Sequence, residues 1–475
     1  MSSLSQSANR LSPGFAKATL GGLWPIALGI TLAACLQVFI KPHIDAYYAL
    51  IALNIGVNIV LAVSLNIVNG FTGQFSIGHA GFLAVGGYAA GAVTYYGSIC
   101  LFGSADVHGG LLSGMPMDTE GLAFLGSGDA LFLVALIVGG LVAALAGLLV
   151  GLPSLRLRGD YLAIVTLGFG EIVRVLLQQT DTLIKRSVGS ETAEQFAQRV
   201  RDTPWWQLPK SVGGALGFTD LPKYTSLFWV YALVAVMLIV AFRLKESSYG
   251  RAFLSIREDE IAAESMGVNT TRYKVWAFVI AAFFAGMAGG LFAHQLGTSL
   301  SPVNAGFQKS FDIIIMVVLG GLGSISGATL AAIILTIIPE WLRGVELQTS
   351  TIFVLIGLTL LAVGVLKVYR ARAIAKKTGV EDRSARRRAI GPALGLILIS
   401  QYFFRGHLPA ALQTTINLGE YRMILYALIL IIMMIARPKG LFGVRELWNI
   451  GPWAKKARVA SQNAGGIVPT QGGAA

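Results

Sequence analysis

The chain has 475 residues, 55% of them hydrophobic and 13% charged, where soluble domains carry about 25% charged. Apolar runs of the roughly 20 residues needed to cross a hydrocarbon core recur from end to end, which excludes a soluble enzyme and points to an all-α, polytopic membrane protein. The formal charge of +13 then reads as Lys and Arg gathered in loops on one side of a bilayer, not as a nucleic-acid surface.

In chain order, a short tail (1–21) precedes spans expected at 22–40, 46–68, 75–97, 130–151, 161–178, 225–242, 275–296, 311–323, 326–343, 351–366, 389–403 and 422–436. The eighth is short and ends in glycine, so it reads as a half-helix or re-entrant segment, giving about 10–12 transmembrane helices in all. LAAC at 32–35 imitates a lipoprotein cleavage site, but the apolar run continues past it, and an uncleaved first span is expected. Cys35 and Cys100 fit no disulfide or metal spacing.

The stretch GFTGQFSIGHAGFLAVGGYAAG (70–91) is dense in glycine and carries no fixed charge. In a bilayer, small residues let helix backbones approach closely. Gly87 and Gly91, Gly286 and Gly290, and Gly323 and Gly327 each form a GxxxG pair, and Gly78 belongs to the same packing set. Thr72, Gln74, Ser76 and His79 are neutral polar groups that either line a translocation path or satisfy backbone opened by a helix break. Glu171 and Arg174, at i and i+3 in the fifth span, share a face; mutual neutralisation and a gating or cargo-contacting role are both open.

Lys and Arg are absent between Lys41 and Arg156, which puts the 98–129 loop outside. The segment 243–274 and the basic stretch 367–388 fall inside, as do both termini. The 179–224 loop, expected outside, mixes basic and acidic residues, and Trp205 and Trp206 in it suit an interfacial belt. From Arg437 the chain leaves the last span through a proline, and 444–475 reads as a flexible tail.

Catalytic signatures are missing: there is no GxxxxGK[ST], no HExxH and no GxSxG. No metal, no cofactor and no ATPase motif of its own is expected. The polar stretch YGRAFLSIREDEIAAESMGVNTTRYK (249–274) has glycines at 250 and 267 that would let a short helix turn at either end. Leu254, Ile261 and Ala262 supply its apolar side, and Arg257, Glu258, Asp259, Glu260 and Glu264 its charged one. It is a solvated connector or a docking helix for a soluble partner.

Five blocks resemble the permease subunits of branched-chain amino-acid ABC importers, the LivM-type family. They are LNIVNGFTGQFSIGHAGFLAVGGYAAG (65–91), LRLRGDYLAIVTLGFGEIVR (155–174), GRAFLSIREDEIAAESMGVNTTRYKVWAFVIAAFFAGMAGGLFA (250–293), MVVLGGLGSISG (316–327) and YRMILYALILIIMMIARPKGLFG (421–443). The resemblance implies an inner-membrane permease core at 22–343 that pairs with a second homologous permease. It also implies two cytoplasmic ATPase subunits that bind the ATP, and a periplasmic solute-binding protein. Gly250, Arg251, Arg257, Glu258, Glu264 and Gly267 then form the ATPase-coupling segment, and Thr72, Gln74, Ser76, His79 and Glu171 become candidates for the translocation path. The cargo implied is branched-chain amino acids, with urea or short amides as the nearest alternative; an ion-coupled secondary transporter and a membrane scaffold are rivals from other classes. Two segments depart from the family pattern: a charged insertion around 181–210, and an apolar–basic–apolar block at 345–420 that reads as an added hairpin before the final span (421–443).

Overall fold

The computed structural model describes residues 15–114, 125–154, 160–186, 191–295, 299–343, 346–348 and 415–417, with Ile424, Leu428, Ile431, 440–443 and Glu446. The anticipated spans 351–366 and 389–403 and the basic loop 367–388 lie outside the described residues, as does the tail from 447.

The helices are α1 (Phe15–Cys35), α2 (Ala46–Asn66), α3 (His79–Phe102), α4 (Ser127–Ser154), α5 (Asp160–Gln178), α6 (Ala193–Asp202), α7 (Leu227–Glu246), α8 (Ser248–Glu258), α9 (Glu260–Ser265), α10 (Thr270–Ala293), α11 (Phe307–Gly320) and α12 (Ile325–Arg343). Among the described residues, seven helical segments are long and apolar enough to cross a membrane, and a shorter apolar helix runs from Ile325 to Trp341. Helix α3 is not among the seven. At 24 residues it is about 36 Å long, but glycine and tyrosine dilute its hydropathy. It is instead the buried centre of the bundle.

The outer helices show the inverse of a soluble pattern. Leu141, Leu145, Leu149 and Leu152 form an exposed stripe along α4, and Tyr161, Ile164, Ile172 and Leu176 do the same on α5. Apolar stripes of this size face lipid in a polytopic protein, whereas water would not tolerate them. Inside, α3 packs against α4 and α10 through glycine. A Cβ placed on Gly86 would lie 2.2 Å from the Gly286 Cα, and one on Gly139 would lie 2.5 Å from the Gly86 carbonyl oxygen. Three backbones meet there without intervening side chains, the approach that only glycine allows.

Two structural units divide the chain, one of residues 1–336 with 432–475, the other of 337–431. In the second, β1 (Glu346–Gln348) pairs antiparallel with β2 (Thr415–Asn417), with Leu347 opposite Ile416. In the first, the charged 181–210 insertion contains α6, opened by a capping box at Thr192 and Gln195. It buries Phe196, Ala197 and Val200 in a cluster with Tyr95, Tyr96 and Phe218. Trp205 and Trp206 are exposed beside it.

The expected half-helix at 311–323 is α11, preceded by a 3-10 turn at Pro302–Ala305. Together they make the segment Pro302–Gly320, 19 residues and one of the seven long and apolar enough to cross a membrane. The half-helix expectation is thus corrected: the helical run starts before 311 and is a full span by length. The Gly323–Gly327 pair does not lie on one helix face. Gly323 is in the turn before α12, with φ +90°, because the chain must reverse between α11 and α12.

Candidate functional site

The 243–274 segment is two helices, not one. Ser247 opens α8, its hydroxyl accepting from the Gly250 N–H at 3.2 Å. Gly250 sits in the first turn rather than at a helix end, and a Cβ there would strike the Leu244 and Lys245 carbonyl oxygens at 2.2 and 2.3 Å. Asp259 breaks the run with extended backbone, and its carboxylate accepts from the N–H groups of Ile261 (2.9 Å) and Ala262 (3.0 Å), capping α9. Gly267 closes α9 at φ +85°. Its N–H bonds the Glu264 carbonyl while the Val268 N–H bonds that of Ala263, the paired bonds of a Schellman stop.

The break at Asp259 shifts the helical phase, so the expected apolar side is corrected. Ala252, Phe253, Ile256 and Ala263 face inward, whereas Ile261 and Ala262 are exposed. Met266 (85% exposed) and Ile261 (65%) stand outward beside the exposed Glu258 and Glu264, a mixed apolar and acidic tip. Among the described residues Arg251 bonds locally, to Ser248 and the Glu246 carbonyl. A 2.7 Å ion pair from Lys274 to Glu260 fixes α9 against α10.

Arg257 points the other way, into the bundle. Its Nη1 donates to the Gly70 carbonyl at 2.9 Å, and its stem lies against Gly73. Gly323 leaves room for the guanidinium, since a Cβ there would lie 2.6 Å from Nη1.

Gly70 belongs to a wide turn, Ile67–Phe71, that ends the α2 run; 72–78 is then non-helical until α3 begins. The break therefore lies ahead of the third span rather than within it. Two asparagines fasten it. The Asn69 amide donates to the Ser76 carbonyl (3.3 Å) and accepts from the Ser76 N–H (3.1 Å), closing the break on itself. The Asn66 amide donates to the Ser324 carbonyl and accepts from the Gly323 N–H, both at 2.9 Å, tying α2 to the α11–α12 turn. An amide can do both at once because it carries donor and acceptor side by side.

Thr72 donates to the Val68 carbonyl at 2.7 Å, and His79 is buried with Nε2 2.8 Å from the Ser64 hydroxyl. Gln74 Oε1 and Ser76 Oγ are buried without a hydrogen-bond partner among the described residues. A Cβ on Gly78 would meet the Thr166 carbonyl at 2.1 Å, and one on Gly87 that of Gly289 at 2.9 Å. Gly286 is held against Ala143 and Gly139, Gly290 against Leu136, Gly91 against Leu221, and Gly327 against the Gly320 carbonyl. Glu171 bonds Arg174 at 2.6 Å, and its other oxygen accepts from the Phe307 N–H at 3.1 Å, so it also caps α11.

A second fastening has no signature in the sequence. The Leu441 N–H donates to the Leu319 carbonyl at 2.9 Å, and Glu446 is buried beneath the α11–α12 turn. Its carboxylate pairs with Lys245 and accepts from Ile325 N (3.2 Å), Ser326 N (2.9 Å) and Ser326 Oγ (2.6 Å), capping α12. Lys245 also donates to the Gly323 carbonyl at 2.8 Å. Burial alone would raise the Glu446 carboxyl, but its bonds to Lys245 and Ser326 outweigh that and hold it below the ordinary range. No cluster of three His, Cys, Asp or Glu suited to a metal occurs among the described residues.

Residues 47–364 match the family described as "Branched-chain amino acid transport system / permease component". The chain is 36% identical over 293 residues to the high-affinity branched-chain amino acid transport system permease protein LivM of Escherichia coli K12, covering 60% of this chain and 61% of the relative. It is 22% identical over 296 residues to the probable branched-chain amino acid transport permease protein LivM of Methanocaldococcus jannaschii, covering 61% and 79%. To the permease protein LivH of Salmonella typhimurium LT2 it is 31% identical over 140 residues, covering 29% and 44%. The chain thus spans about three fifths of the length of the bacterial LivM proteins it matches. No solved structure matches it.

Proposed function

Because this chain belongs to the branched-chain amino-acid transport permease family, we propose that it is a membrane-spanning subunit of an ABC importer for amino acids, with Leu, Ile and Val as cargo. In this reading it lies in the inner membrane with both termini cytoplasmic. It pairs with a second homologous permease, two ATPase subunits energise it, and a periplasmic binding protein delivers the cargo. Similarity to relatives named LivM and LivH supports the pairing.

The observation that carries the mechanism is Arg257. Gly250, Arg251, Glu258, Glu264 and Gly267 shape a segment whose outward tip an ATPase can grip, while Arg257 on the same segment holds the Gly70 carbonyl at the helix break. A displacement of α8 and α9 is thereby delivered to 70–78. Gln74 and Ser76, with free acceptor capacity there, line the cytoplasmic end of the path. Thr72 and His79 satisfy the opened backbone and the packing around it, and Gly78, Gly87, Gly91, Gly286, Gly290 and Gly327 let the helices close up. Glu171 acts as a cap rather than a cargo ligand.

The test is uptake of labelled leucine by cells that lack their own high-affinity system and express this chain with its neighbouring permease, ATPases and binding protein. ATP-dependent, saturable leucine uptake is expected. Uptake of urea or a short amide in place of leucine would move the reading to those cargoes.

A further inference from the structure

Lys309 and Asp312 stood out in no sequence motif, yet they occupy an unusual place. Helix α11 continues a helical segment that begins at Pro302 and is long and apolar enough to cross a membrane. Lys309, at position 8 of those 19 residues, therefore falls within a span rather than at its end. Lys309 lies 11 residues before Gly320, and Asn58 lies 12 residues before Gly70. At 1.5 Å per residue both stand roughly 16–18 Å above the turns that Arg257 holds together, near the middle of the core.

Lys309 Nζ reaches Asn58 Oδ1 at 3.5 Å and lies 5.9 Å from the Phe292 ring centroid. The Asn58 amide is aimed by its own donation to Thr336 Oγ1 at 2.9 Å. One turn away on α2, Asn54 accepts from Gln295 at 3.3 Å. Asp312, at i+3 on α11, lies on the Lys309 side of the helix. Charged groups at this depth are costly and mark ion or substrate pathways when they face a protein interior. Glu171 and Arg174, also by the start of α11, bond each other, and Glu171 accepts from the Phe307 N–H.

We propose that Lys309 and Asp312, with Asn58 and Asn54 behind them, form a binding step in the translocation path for the head group of an α-amino acid. Lys309 and Asn58 take the carboxylate, and Asp312 takes the ammonium. The two side chains carry opposite charges, so the empty site holds no net charge, and a zwitterion enters without changing that balance. Neutral amides such as urea offer nothing to Lys309 that water does not. This rests on the permease reading and adds to it where cargo is held.

The test uses the full importer in proteoliposomes, with leucine uptake and ATPase activity stimulated by loaded binding protein measured side by side. Lys309→Gln keeps a hydrogen bond to Asn58 and removes the charge; Lys309→Arg keeps the charge. Lys309→Gln should lower uptake at least about tenfold while ATPase stimulation persists, and Lys309→Arg should stay within about threefold of wild type, the scale on which one charged hydrogen-bond partner acts. Equal uptake by Lys309→Gln and wild type, or an equal loss in Lys309→Arg, overturns the site. Should Lys309→Gln not assemble, Asn58→Asp sets a fixed carboxylate against the cargo's own. Reduced uptake with ATPase stimulation intact supports the site, and full activity overturns it. A wild-type assembly without any ATP-dependent uptake would count against the permease reading itself.

Discussion

The contact between α3, α4 and α10 offers a sharp test of the packing argument. Gly86→Ala would place a methyl 2.2 Å from the Gly286 Cα and 2.5 Å from its carbonyl oxygen. Carbon atoms rest at about 3.5–4.0 Å, so the helices would have to part by about 1.3 Å or more, against backbone that cannot turn aside. Overpacking of this kind costs about 1–3 kcal/mol. Gly168→Ala on α5 is the control. It is also a mid-helix glycine, but nothing lies within 4 Å of its added Cβ, so it should gain up to about 1 kcal/mol of helix propensity without a clash. The two variants share the propensity gain and should therefore differ in stability by about 1–3 kcal/mol. Thermal midpoints of the purified protein in detergent, followed by size-exclusion recovery, measure it. A Gly86→Ala variant that melts with or above Gly168→Ala would refute the close-approach reasoning.

Further outcomes follow from the other contacts. Glu446→Gln should loosen the closing segment and expose the 440–443 backbone to proteolysis. Because the Glu446 carboxyl is held low in the folded state, the stability it adds is present above its unfolded pKa of about 4.3 and is lost as the pH falls through the folded value. The protease sensitivity of wild type should thus approach that of the variant only in acid, and a difference that persists unchanged there would refute the ion pair. His79→Gln keeps a partner for Ser64, so initial leucine uptake between about pH 5.5 and 8, the range around an ordinary histidine pKa, should keep its wild-type profile; an altered profile would return His79 to the cargo path. Leu216→Cys and Met266→Cys, both at exposed positions, should label from opposite faces in a background where Cys35 and Cys100 are replaced by Ser. Labelling from one face would contradict the orientation.

Much of the bundle was readable because apolar length and glycine density are local properties. The apolar runs that form α2, α4, α5, α7 and α10 and the Glu171–Arg174 pair announce themselves within a few residues of sequence, whereas the break falls at 72–78, where the third span is expected already to have begun. What escaped was set by distant partners. Glu446 meets Lys245 across 201 positions, and no periodicity marks a carboxylate that will cap a helix so far away. Asn66 and Asn69 carry no motif of their own, and only the folded chain shows each amide serving two backbone groups. The apolar side of 249–274 differs from the expected one for a geometric reason: the glycine spacing predicts a single helix, and the extended Asp259 resets the phase of everything after it. Lys309 carries no signal in the sequence, because a lysine in the first turn of a helix ordinarily reaches water.

Arg257 offers the most direct measurement of the central claim that the 250–267 segment drives the helix break. In the reconstituted importer, Arg257→Ala removes one charge-assisted hydrogen bond to the Gly70 carbonyl and leaves the outward tip with Glu258, Ile261 and Met266 untouched. Such a bond is worth about 1.5–3 kcal/mol, or about 10- to 150-fold in rate. The account predicts that the ATPases still co-purify with the variant and hydrolyse ATP, while leucine moved per ATP falls by that factor. Wild-type leucine transport per ATP in a fully assembled Arg257→Ala importer would contradict it.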